Sequence, residues 1–130
     1  MKYTNYYVAG KNGRSNCVIR SLCKLFSEEY DNVYDDLCNI AKQLNCISYN
    51  DVEVFESYMQ QRNMLLTEYG KDMQIKDLVL TKERYAIFCW DRNEFYHMVS
   101  IIDNILYDKD DKSLELYVIK IYKKNEEVRK

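Results

Sequence analysis

The sequence has no proline and only three glycines. It therefore lacks the Pro/Gly punctuation that marks a linker between domains. No repeat or low-complexity tract interrupts it, and 130 residues suit one domain with an ordinary core. There is a single histidine, and none of the five cysteines stands at C-x-x-C spacing. That removes the usual ligand sets of a His/Cys zinc site and leaves no metal or other cofactor to expect. No apolar run approaches a membrane span, and Met1-Lys2-Tyr3-Thr4-Asn5 has no signal-peptide core, so no membrane is expected as a partner. The net charge of −2, with both signs interleaved, offers no electrostatic case for nucleic acid. An odd number of cysteines without a secretion signal reads as reduced thiols in a cytoplasm.

What is present is a globular composition, 47% apolar and 31% charged. Its first half carries helical periodicity. Before the first helix, Ser15 and Asn16 are both competent caps, and either places Cys17 in the opening turn. Unpaired amides and the positive end of the helix dipole favour a thiolate there. Val18, Leu22, Leu25 and Phe26 recur on one face, widened by Ile19 and Cys23, which assigns Arg20, Ser21 and Lys24 to the polar side. A break or cap at 27–30 is followed by a helix over 31–45 and a third over 50–63, capped by Asn50 or Asp51. Residues 1–9 read as a short strand or ordered arm, 64–69 as a strand, and 74–80 as a helical turn or two.

The second half changes period. Residues 85–90, 94–102, 105–108 and 114–122 read as strands of an antiparallel meander, with Asp103-Asn104 as a two-residue turn. The charged stretch 123–130 reads as a frayed tail beyond a domain of residues 1–122. Helices first and an antiparallel sheet afterwards make an α+β domain. With that turn, Ile102 faces Ile105, Val99 faces Asp108 and His97 faces Asp110. His97, Asp108 and Asp110 then share one side of the sheet. Either carboxylate could hold one nitrogen of the imidazole and leave the other to face a thiol. Cys17, His97 and an Asp make a cysteine-nucleophile set. The bland readings are core filler for the cysteines, a structural strand histidine, and a solvated loop for Asp108-Lys109-Asp110-Asp111-Lys112.

Asn16-Cys17-Val18-Ile19-Arg20-Ser21-Leu22, Tyr34-Asp35-Asp36-Leu37-Cys38 and His97 through Asp108 together resemble small bacterial and phage-encoded proteins of papain-like cysteine-peptidase fold. These are related to the peptidases that process bacteriocin leaders. The resemblance implies Cys17 as nucleophile, His97 as general base and Asp108 as the orienting third member, while the hairpin register leaves Asp110 as the alternative. It also implies a side-chain amide a few residues before the nucleophile that helps the Cys backbone amide hold an oxyanion, for which Asn12 is the nearest candidate. The sequence departs from the pattern at Asn104 and Arg84, where such proteins carry glycine. Two functions follow as expectations: a thiol hydrolase acting on a peptide or protein amide, or an inactive scaffold that binds a protein target, such as a phage-encoded inhibitor of a host protein.

Overall fold

Capping chemistry sets the helix boundaries in a computed structural model that describes residues 1–70 and 72–125. Helix α1 (Cys17–Phe26) begins at Asn16, whose Oδ1 accepts from the N–H groups of Val18 and Ile19. Ser15, the other candidate cap, instead donates its hydroxyl to Val8 O. The helix stops at Ser27 in the left-handed region, φ 54°, with its N–H returned to Cys23 O. Arg84, which opens strand β3 (Arg84–Trp90), donates to Leu25 O at 2.6 Å and satisfies another terminal carbonyl. Helix α2 (Tyr30–Leu44) closes on Asn45, also left-handed. Helix α3 (Val52–Gln60) is shorter than the expected 50–63, because the chain leaves the helix in turns and Asn63 takes a positive φ. The 74–80 stretch contributes only a 3₁₀ turn at Ile75–Asp77.

The remaining strands are β1 (Lys2–Asn5), β2 (Met64–Tyr69), β4 (Tyr96–Ile102), β5 (Ile105–Asp108) and β6 (Tyr117–Lys124). The six join one sheet in the order β1-β5-β4-β3-β6-β2. The expected meander holds for β3, β4 and β5 and fails beyond. Strand β6 passes to the far side of β3 and pairs antiparallel with it, while β1 lies parallel to β5. Length match explains the choice: β5 offers four residues and β1 fills its outer edge, whereas seven-residue β3 gives eight-residue β6 a longer ladder. The sheet is thus mixed, and the architecture is α+β.

The frayed tail is also corrected in part. Lys123 and Lys124 belong to β6, and Lys123 Nζ pairs with Glu83 at 2.7 Å. Residues 126–130 of that expected tail lie outside the described residues.

Alternation along the strands divides the core between the two sheet faces. Ala86, Met98 and Tyr122 pack under the three helices with Ile19, Leu22, Leu37 and Phe55. Ile87, Val99, Ile101 and Leu106 face the other way and are covered by Ile75, Leu78, Leu80 and Leu114. Helix α1 is anchored to β4 by the buried Ser21 hydroxyl, which donates to Met98 O at 3.0 Å.

Candidate active site

The β4–β5 turn brings the titratable groups together. Asp103 and Asn104 both have positive φ, 58° and 61°, as a two-residue hairpin turn of the primed type requires. The register is Ile102↔Ile105, Ile101↔Leu106 and Ser100↔Tyr107, as expected from the sequence. Stepping by two from Val99 and Leu106 places His97 and Asp108 on the same face. His97 Nε2 lies 2.8 Å from Asp108 Oδ2. The ring therefore donates Nε2–H to the carboxylate, leaving Nδ1 as the nitrogen available to a thiol.

Cys17 supplies that thiol. It sits half-buried at the start of α1, within hydrogen-bonding reach of the His97 ring and of the Met98 backbone. Burial pushes the Cys17 thiol up, but the hydrogen bond and charge of His97, the Met98 backbone and Arg20 outweigh it, and the net shift is downward. The contrast with its neighbours is informative. Burial drives the Cys23 thiol up to about 11 and Cys89 well above the usual thiol range. On the imidazole, burial disfavours the charge, yet the bonds to Asp108 and Cys17 raise the pKa to about 9. Both shifts run in the direction that favours a thiolate beside an imidazolium.

Asp108 is only 1% exposed and fully engaged. Besides His97, its carboxylate accepts from Arg20 Nη2 at 3.0 Å and from the Ser113 hydroxyl. Burial would raise its pKa, but these donors, His97 foremost, hold it at about 2. Its backbone carbonyl accepts from Tyr3 Oη at 2.7 Å and from Tyr6 N–H at 2.9 Å, which pins the end of β5 to the N-terminal strand.

Asp110, the alternative third member, is not brought to the imidazole. It is exposed, and its Oδ1 accepts from Lys112 N–H at 3.0 Å to cap the 3₁₀ turn Asp111–Glu115. That turn swings Ser113 inward, so the loop that read as solvated has one buried end and one exposed end. Asn12 lies exposed in the turn before α1, its Oδ1 accepting from Arg14 N–H at 3.0 Å.

Three residues of the site escaped the sequence reading. Arg20 and Ser21, placed there on the polar side, are 2% and 3% exposed. Ser113 is the third. The signal for the first two was present: positions i+3 and i+4 from Cys17 share its helical face, so a Cys17 turned to the sheet carries Arg20 and Ser21 with it. For Ser113 no local pattern pointed inward.

Phe95, itself exposed, stacks on the His97 ring with centroids 5.3 Å apart. A small cleft of about 120 Å³ opens beside His97 and Asp108, walled by Phe95, Lys112, Ser113 and Leu116. A larger one of about 460 Å³ runs along Thr67, Leu78 and Tyr85 and contains none of the cluster. Among the described residues no three His, Cys, Asp or Glu side chains are grouped to hold a metal ion. No helix among them is long and apolar enough to cross a membrane. No family model, curated protein or solved structure matches the chain.

Proposed function

We propose that the protein is a cysteine-dependent hydrolase of papain-like type, acting on a peptide or amide bond through Cys17, His97 and Asp108. The observation that carries this reading is the grouping of carboxylate, imidazole and thiol: Asp108 Oδ2 lies 2.8 Å from His97 Nε2, and Cys17, at a capped helix start, is within reach of the ring. In the reaction the Cys17 thiolate attacks the carbonyl carbon, and His97 Nδ1 carries the proton that it returns to the leaving amine. Water, deprotonated by the same nitrogen, then hydrolyses the acyl-enzyme. The developing oxyanion would be met by the Cys17 N–H, an opening-turn amide that the Asn16 cap does not take. Asn12, the second donor that the resemblance implies, would have to present its amide nitrogen, since its oxygen serves the turn.

The test is the pH dependence of iodoacetamide alkylation at Cys17, read by mass spectrometry in the wild type and in His97→Ala. Rapid labelling below neutral pH that the mutant loses is the expected result. A wild-type midpoint near the ordinary thiol value of about 8.5, indifferent to His97, would end the hydrolase reading. The second reading, an inactive scaffold that binds a protein target, draws on the exposed Phe95 and Tyr96 beside a buried imidazole. It predicts slow labelling and a partner that protects those two rings.

A further inference from the structure

Arg20 is an unusual residue to find on the inner face of a nucleophile-bearing helix. A guanidinium is rarely buried unless its charge and its donors are answered. Here both ends of the fork are used. Nη2 donates to Asp108 Oδ1 at 3.0 Å, and Nη1 donates to Ser15 Oγ at 2.9 Å. Ser15 in turn donates to Val8 O at 2.9 Å, so the guanidinium is braced from the segment before the helix. The two carboxylate oxygens are divided between partners. Oδ1 belongs to Arg20, while Oδ2 takes His97 and Ser113. That division fixes the rotation of the carboxylate, and hence which oxygen the imidazole meets.

Charge gives a second argument from the same groups. With the Cys17–His97 pair ionised, the buried site holds two anions, Cys17 and Asp108, and two cations, His97 and Arg20. Removing Arg20 would leave the cluster with an unbalanced negative charge where solvent screens little. The group that can relieve the imbalance is the thiol, by keeping its proton. Asp108 is held by two other donors. Arg20 acts on Cys17 in this sense already, since its charge favours the thiolate.

We propose that Arg20 is a positioning residue of this site, turning the Asp108 carboxylate toward His97 and completing the charge balance that the ionised Cys17–His97 pair needs. The proposal rests on the hydrolase reading above. Arg20 bonds to Asp108 and Ser15, so it acts on the imidazole through Asp108 and on the thiolate through its charge.

The experiment compares Cys17 alkylation midpoints in the wild type, Arg20→Met, Asp108→Asn and the double variant Arg20→Met/Asp108→Asn, each checked for a native near-UV spectrum. Arg20→Met should raise the midpoint by about one pH unit, a tenfold loss of labelling rate at acidic pH. The double variant removes both charges and leaves none buried alone, so it folds even where Arg20→Met does not. Its asparagine can still accept from His97 Nε2–H, and its midpoint should return to within about 0.3 unit of the wild type. An Arg20→Met midpoint equal to the wild type would overturn the proposal. So would a double variant displaced upward from Asp108→Asn by less than about 0.3 unit, because the removed cation must then be electrostatically silent. An ordinary wild-type midpoint would instead bring down the hydrolase reading, and this proposal with it.

Discussion

Replacing Asp108 by alanine should be among the most damaging single changes in the molecule. The carboxylate is 1% exposed and accepts from Arg20, His97 and Ser113 together. Its loss leaves the Arg20 guanidinium buried with Ser15 Oγ as its remaining partner and the His97 imidazole without its acceptor. Breaking a buried ion pair from one side costs about 3–5 kcal/mol, most of it the burden of the uncompensated charge. In a chain of this size each kcal/mol moves the melting temperature by roughly 3–5 °C, so Tm at pH 6 should fall by about 9–25 °C. The pH dependence makes the prediction sharper. The Asp108 pKa is depressed to about 2, so its contribution is whole above the unfolded value of about 3.9 and is lost as pH falls toward 2. The His97 pKa is raised to about 9, so its contribution is whole below the unfolded value of about 6.5 and is lost as pH climbs through 9. The gap between wild type and Asp108→Ala should therefore be widest between about pH 4 and 6.5 and narrow on both sides. Thermal melts followed by circular dichroism from pH 2 to 10 measure it. A gap under about 3 °C at pH 6, or one that stays level across the range, would refute the network as described.

Two further outcomes follow from the ends of α1. Asn16→Ala removes the acceptor for Val18 and Ile19 N–H and should cost about 1 kcal/mol in urea titration. Because the same turn carries Cys17, the variant should also show a higher alkylation midpoint; a stability loss with no change in labelling would separate the cap from the thiol. Arg84→Ala removes the donor to Leu25 O and should cost about 1–2 kcal/mol, seen as a lower urea midpoint at unchanged m-value. An unchanged midpoint there would mean that solvent satisfies the carbonyl equally well.

Much of the site was legible in the sequence because its parts are local. An Asx cap acts within three residues, and Asn16 needs only the N–H groups of Val18 and Ile19 to start a helix at Cys17. A two-residue turn needs only two residues that accept positive φ, and Asp103-Asn104 sets the register that places His97 and Asp108 on one face. The helical stripes of α1, α2 and α3 are likewise set by spacing along a few turns. What the chain's tertiary arrangement decided is whatever depends on partners far away in sequence. The path of β6 to the outer edge of β3, and the parallel seat of β1 on β5, follow from which strand edges are free and long enough. Asp108 rather than Asp110 meets His97 because the turn after β5 buries one carboxylate among donors and spends the other as a cap. Arg20 changes from a surface charge into a buried one only because Asp108, 88 residues on, comes within 3.0 Å to neutralise it. A helix can announce which of its residues share a face, but whether a charge on that face meets water or a counter-charge is settled by the strand that packs against it.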